Sequence, residues 1–198
     1  MQLREIRDIV VASAVLAFVF SFSYSGPDLG RLLAFLPVAV FAVVVGFVLH
    51  ELAHRYVARR YGAHAEFRAW REGLLLAIAL ALATNGGFVF AAPGAVMIYP
   101  RANLWGQPAD LSRRRLGVIG ISGPVVNMVL AAAFYAASLF YPSMIFSFGA
   151  RVNIWLALFN MIPLPPLDGS KVFAWDRRIW LASFAAIIAA FIFLPRLF

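Results

Sequence analysis

The sequence predicts an all-α polytopic membrane protein of about five to six transmembrane helices, with one re-entrant, β-hairpin-like segment at roughly 85–100. Three observations carry this reading. Of the 198 residues, 63% are hydrophobic and 13% charged, with a mean hydropathy of +0.85. Apolar runs near the ~20 residues that a bilayer crossing needs recur along the chain. The 17 Lys and Arg gather beside those runs and form no continuous stripe, so the formal charge of +8 reads as topology, and no nucleic-acid partner is expected.

Residues 8–25 make the first span. They follow Arg4 and Arg7, exceed a signal-peptide core in length and lack a small-residue cleavage site, so they are read as a retained helix. Residues 32–57 make the second span, and 116–140, 145–163 and 178–195 make three more. Residues 72–100 fit no span. The apolar helical run at 73–84 is short, Asn85-Gly86-Gly87 breaks it, and the Val-, Phe-, Ile- and Tyr-rich remainder turns at Pro93-Gly94 as a hairpin would. If this segment enters and returns on one side, 14 of the 17 basic residues share that side and only Arg31, Arg151 and Arg196 lie opposite. The positive-inside rule then makes the crowded face cytoplasmic. Such backbone stands at membrane depth only where protein or a watery cavity covers it. Trp105, Trp155, Trp175 and Trp180 read as interfacial anchors. No repeat or linker divides the chain, so residues 1–198 form a single membrane domain.

The second span ends in His50-Glu51-Leu52-Ala53-His54, which holds two of the three histidines. Ionisable groups in a span cost about 2.5 kcal/mol or more each at the centre unless they line a polar site. Positions i and i+4 lie one above the other on a helix, so both imidazoles can grip one metal with Glu51 alongside as general base, the H-E-x-x-H pattern of zinc hydrolases. Cysteine is absent, so His, Asp, Glu and Asn are the available donors. Two histidines leave a catalytic zinc one protein ligand short. The extended H-E-x-x-H-x-x-G-x-x-H pattern is excluded by Val57 and Arg60. His64, Glu66 and Glu72 stand in a charged stretch that reads as solvated surface. Asp168 lies in "NMIPLPPLDG", where Pro163, Pro165 and Pro166 stop the fourth span and impose an extended loop. That loop falls on the same side as the end of the second span, so Asp168 can meet His50 and His54; the competing reading is a cap for the next helix.

Together, His50-Glu51-Leu52-Ala53-His54, Ser122-Gly123-Pro124-x-x-Asn127 and Asn160-x-x-Pro163-x-Pro165-x-Leu167-Asp168-Gly169 resemble the site-2 protease family of intramembrane metalloproteases. The likeness runs from about residue 41 to 173, within a catalytic core of about 32–173. It implies one Zn2+ held by His50, His54 and Asp168, Glu51 as general base, a transmembrane protein as substrate, and cleavage near the cytoplasmic face of the cell membrane among its lipids. Relatives often carry PDZ or CBS modules, and this chain has neither, so it resembles a compact form.

Substrate contacts follow from backbone chemistry. A transmembrane helix must unwind before a peptide bond becomes accessible, and the exposed donors and acceptors then need partners. The stretch from Gly87 to Tyr99, with Val96 and Ile98, is the candidate strand edge for that pairing, or else a plug for the cavity. Asn160 is a candidate for holding the substrate backbone or oxyanion. Asn127 is a second candidate, and for both the alternative is a hydrogen bond between helices. The competing function is a membrane metal transporter or a metal-binding protein without protease activity. It would need no glutamate after the first histidine, and the repeated halves of transporters are not found.

Overall fold

The computed structural model describes residues 3–100 and 110–193. Arg101, Trp105 and Arg196 lie outside the described residues.

The chain opens with two antiparallel helices, α1 (Leu3–Ser25) and α2 (Leu29–Arg60), joined through Gly26 at φ +66°. Asp28 caps α2 by accepting from the Arg31 amide, and Arg59 and Arg60 complement the carbonyl end of its dipole. Along α2 the buried positions Phe35, Ala39, Ala42, Val43, Gly46, Phe47, His50 and His54 recur at three- and four-residue steps, so the apolar stripe runs directly into the two histidines. The opposite face, with Leu33, Val40, Phe41 and Val44, is exposed. Exposed apolar faces on this scale mark a lipid-facing surface.

Five long helices match the five expected apolar runs: α1, α2, α4 (Arg113–Phe140), α5 (Met144–Asn160) and α7 (Arg177–Phe193). Of these, α1, α2 and α4 are long and apolar enough to cross a membrane, and α5 is a shorter apolar helix. Helix α2 sits at the centre, against α1, α4 and α5. A short helix, α6 (Asp168–Trp175), packs on α4 and precedes α7.

Between α2 and α4 the chain forms β1 (Ala63–Ala69), α3 (Arg71–Ala83) and β2 (Gly94–Pro100). The Ala69 amide donates to Asp8 near the start of α1, whereas Ser23, near the other end of α1, donates to the Gly86 carbonyl at 2.6 Å. Fifteen residues of helix span about 22 Å. The segment thus runs the length of α1, turns, and returns to pair Gly94 with Ala69. The strand pairing differs from the expected hairpin. Residues 88–93 form neither helix nor strand, Gly94 starts β2 directly after Pro93 instead of turning a hairpin, and the partner of β2 is β1. The expected hairpin within 85–100 is therefore replaced by a two-stranded antiparallel sheet whose other strand contains His64 and Glu66.

Among the described residues the sheet has one closed edge and one open edge. Phe67 donates its backbone N–H to Glu5 at 3.2 Å, Ala69 donates to Asp8, and Arg55 donates to the Ala65 carbonyl while pairing with Glu5 at 2.6 Å. Because Phe67 and Ala69 donate outward, His64, Glu66 and Arg68 are the β1 residues that bond to Tyr99, Met97 and Ala95. Val96 and Ile98 then turn their N–H and C=O groups away from β1, along the free edge of β2.

Candidate metal centre and active site

His50 and His54 are held by hydrogen bonds on the ring nitrogen that faces away from the site. His54 Nδ1 lies 2.7 Å from the Ile119 carbonyl, which can only accept, so Nδ1 carries the proton. His50 Nδ1 lies 2.6 Å from Asn127 Oδ1. The Asn127 amide is oriented by its own donation to the Gly46 carbonyl, so here too Nδ1 is the donor. Both Nε2 atoms thus point inward at each other, 2.9 Å apart. Asp168 completes the triangle, with Oδ2 at 3.2 Å from His50 Nε2 and 2.9 Å from His54 Nε2.

Two neighbouring Nε2 atoms at this separation cannot both carry protons directed at each other, so three donor atoms converge on a position that calls for a shared cation. Bonds of about 2.0–2.1 Å at a tetrahedral zinc set its ligand atoms about 3.3–3.4 Å apart, close to the observed edges. All three residues are buried, and among the described residues they form the one His/Cys/Asp/Glu group close enough to hold a metal ion. A Cβ on Gly123 would stand 2.5 Å from His54 Nε2 and 2.6 Å from His50 Nε2, so α4 reaches the imidazoles only because this residue is glycine. The residues fit a zinc ion.

Asp168 is the first residue of α6 and turns its carboxylate into the site; the cap position falls to Leu167, with no side-chain cap hydrogen bond, so the competing cap reading is not met. The close turn depends on Gly169, where a Cβ would collide with the Met161 backbone. Lys171 Nζ binds Oδ1 at 2.9 Å and leaves Oδ2 to the histidines. Burial by itself would raise the Asp168 carboxyl, but the positive charge of Lys171 beside Oδ1 acts against it, and the carboxyl is held well below the ordinary carboxylate range. A metal ion in the same place supplies positive charge in the same sense.

Glu51 lies beside this group and lines a cavity of about 10 Å³ with His50, His54, Val96, Asn160 and Asp168. That is about the space of one water molecule. Its Oε2 is buried without a hydrogen-bond partner, which is costly unless a water or substrate occupies the cavity.

The other expected site residues divide. Asn160 reaches the cavity from the end of α5 while one amide hydrogen bonds to the Leu156 carbonyl, and Val96 lines it from β2. Ile98 stands further along the same strand, against the small cluster around Ala58 and Ile119. Asn127 is fully buried, with its carbonyl on His50 and its amide nitrogen on Gly46 and Asn153, so it faces the back of His50 and not the cavity. Gly87 is elsewhere: it lines a separate cavity of about 370 Å³ with Phe20, Tyr24 and Trp155. His64, Glu66 and Glu72 do not join the metal group.

Sequence reasoning passed over Lys171 and Asn153. The latter carried a signal, since Asn153 and Asn160 stand two helical turns apart on an otherwise apolar run.

Comparison with known proteins gives one family. Residues 38–143 match the model of peptidase family M50, a match that contains His50, Glu51, His54 and Asn127 and ends before Asp168. The protein named "Putative zinc metalloprotease MJ0611" from Methanocaldococcus jannaschii is 41% identical over 89% of this chain and 87% of its own. "Putative zinc metalloprotease YwhC" from Bacillus subtilis is 31% identical over 71% of this chain and 69% of its own. "Zinc metalloprotease MJ0392", also from Methanocaldococcus jannaschii, is 29% identical over 65% of this chain, which corresponds to 31% of that larger protein. No solved structure gives a significant match.

Proposed function

The chain belongs to peptidase family M50 and is a zinc metalloprotease with apolar, membrane-type helices, and from that premise we propose that it hydrolyses a peptide bond in or near a transmembrane segment of a membrane-protein substrate. The observation that carries this reading is the depth of the site. His50 and His54 lie ten and six residues before the charged end of α2, or about 15 and 9 Å along a helix long and apolar enough to cross a membrane.

In this reading His50, His54 and Asp168 hold the zinc, and Glu51 is the general base. Bound there, zinc lowers the pKa of water toward neutrality and polarises a carbonyl. Glu51 Oε2, unpartnered in the protein, takes a proton from water in the small cavity and passes it to the leaving amine. Asn160 contacts the substrate backbone or oxyanion from the cavity wall. The free edge of β2 at Val96 and Ile98 pairs with the unwound substrate, which has lost its helical hydrogen bonds. The arginine-rich ends of α2 and α4 support a reading in which this end of the molecule faces the cytoplasm, with five crossings and the β1-α3-β2 segment entering and returning on that side. Water reaches the site from there, and regulated intramembrane proteolysis is the process that such a cleavage serves.

The test is cleavage in reconstituted liposomes of a single-span substrate, beside a soluble peptide carrying the same scissile sequence. The expected result is cleavage within or next to the span, abolished by Glu51→Gln and by zinc chelation. Cleavage of the soluble peptide with the span left intact would overturn it.

A further inference from the structure

Two asparagines behind the metal centre form a continuous line of hydrogen bonds that ends on a zinc ligand. Asn153 in α5 donates from Nδ2 to the Gly149 carbonyl at 2.8 Å, one turn earlier in its own helix. That carbonyl only accepts, so the Asn153 amide is oriented with Oδ1 outward. Asn127 Nδ2 donates to Asn153 Oδ1 at 2.9 Å and to the Gly46 carbonyl at 3.1 Å. Both hydrogens of Asn127 are thereby committed, and its Oδ1 is presented to His50 Nδ1 at 2.6 Å. Asn127 and Asn153 are fully buried.

The packing around this line is built for it. A Cβ on Gly46 would stand 2.9 Å from Asn153 Oδ1 and 3.2 Å from its Nδ2, so α2 and α5 approach closely enough for Asn153 to reach Asn127 only where α2 has glycine. Two primary amides at bilayer depth are expensive unless each finds partners, and here their donors run in one direction, from Asn127 to Asn153 to a helical carbonyl. A flipped Asn127 would turn its N–H toward His50 and its oxygen toward both the Gly46 carbonyl and Asn153 Oδ1. The line therefore selects the one amide orientation that accepts from His50 Nδ1 and leaves His50 Nε2 with a lone pair. A metal-ligating histidine whose other nitrogen is so engaged is fixed in tautomer and in ring orientation.

We propose that Asn153 is a positioning residue for the zinc site, acting through Asn127 to hold His50 in the metal-binding tautomer. The inference rests on the reading of His50, His54 and Asp168 as the zinc ligands. It differs from ordinary adhesion between helices in the sign of its consequences. If Asn153 only joins α4 to α5, an apolar residue of similar size is harmless or stabilising and a buried acid is worse. If it orients Asn127, the order reverses, because Asp retains the oxygen that accepts from Asn127 and Leu does not.

The experiment measures zinc affinity of the detergent-solubilised apoprotein by competition with a chromophoric chelator, together with its thermal unfolding midpoint and the visible spectrum of the Co2+ form. Asn153→Leu is expected to bind zinc about tenfold more weakly, at the low end of the 10–100-fold range for outer-shell partners, with a changed Co2+ spectrum and an unfolding midpoint no lower than that of the parent. Asn153→Asp is expected to stay within about twofold of the parent. In an Asn127→Leu background, itself weakened, Asn153→Leu is expected to have no further effect. Parent-like zinc affinity in Asn153→Leu, or equal weakening in both Asn153 variants, overturns the proposal. If His50→Ala binds zinc as tightly as the parent, the ligand assignment beneath it fails instead, and the two failures are told apart by that control.

Discussion

The Asp168 carboxylate stands 3.2 Å from His50 Nε2 although 118 residues separate them in the chain. The meeting requires the α4-α5 hairpin and the proline-rich loop together, and under the proposed function it divides the site into groups that hold a metal and one that moves a proton. Glu51 is outside the triangle of donor atoms and lines the cavity beside it. Glu51→Gln should therefore bind zinc at parental stoichiometry while cleavage falls by about 10²–10⁴, the usual contribution of a positioned base. Asp168→Ala should lose zinc affinity by more than the 10–100-fold typical of an outer partner. Metal analysis beside a cleavage assay checks both. Full zinc occupancy in Asp168→Ala would send the ligand assignment elsewhere.

Gly123 offers a test that removes no polar group. A methyl there would come within 2.5 Å of His54 Nε2 and 2.6 Å of His50 Nε2, far inside contact distance. Gly123→Ala should displace both imidazoles and reduce zinc binding at least tenfold, while Gly120→Ala, one turn earlier with its nearest neighbours at 3.1–3.2 Å, should do much less. Equal zinc content in the two variants would mean that the histidines move aside freely.

Topology is accessible because the chain has no cysteine. Glu72, at the start of α3, and Ser112, just before α4, are exposed, and Tyr141 lies at the far end of α4 with 73% exposure. Glu72→Cys and Ser112→Cys should react with an impermeant thiol reagent from the cytoplasmic side, and Tyr141→Cys from the opposite side. Labelling of Glu72→Cys and Ser112→Cys from different sides would show that the β1-α3-β2 segment crosses the bilayer.

What was legible in the sequence was what is local or costly. His50, Glu51 and His54 announce themselves because helical spacing aligns the imidazoles and because charge in an apolar run demands a reason. Asp168 was legible through the prolines before it, which leave the chain only one kind of loop. The sheet was not. In Ala63–Ala69 the small and apolar residues Ala63, Ala65 and Phe67 alternate with His64, Glu66 and Arg68, a period-2 pattern hidden by the charges. Its partner lies beyond an intervening helix, so no turn signal joins them. Asn127 was left between two readings for a related reason: the sequence shows an amide in a span, but whether it faces a substrate or bonds to a neighbouring helix depends on which helix packs behind it.

The open edge of β2 gives the sharpest test of how a helical substrate is cut. Each carbonyl in a transmembrane helix is already bonded within its own segment, so several residues must unwind before the peptide bond is accessible, and each unpaired group costs several kcal/mol in a dry environment. The outward N–H groups of Val96 and Ile98 are the ones that a substrate strand would use, whereas Met97 bonds to Glu66 across the sheet. Val96 also lines the cavity with Glu51 and Asp168, which sets that edge directly against the metal centre. Ile98→Pro removes one outward donor and no ladder bond, so it should leave zinc content and the unfolding midpoint near parental values while reducing cleavage of a helical substrate about tenfold, the effect of one lost hydrogen bond at about 1.4 kcal/mol. Met97→Pro should lower the midpoint, because it removes a bond within the sheet. A substrate carrying helix-breaking residues beside the scissile bond has less to gain from the edge during unwinding, and it should suffer less from Ile98→Pro. Equal losses for helical and pre-unwound substrates would point to general damage at the site and remove the case for strand pairing.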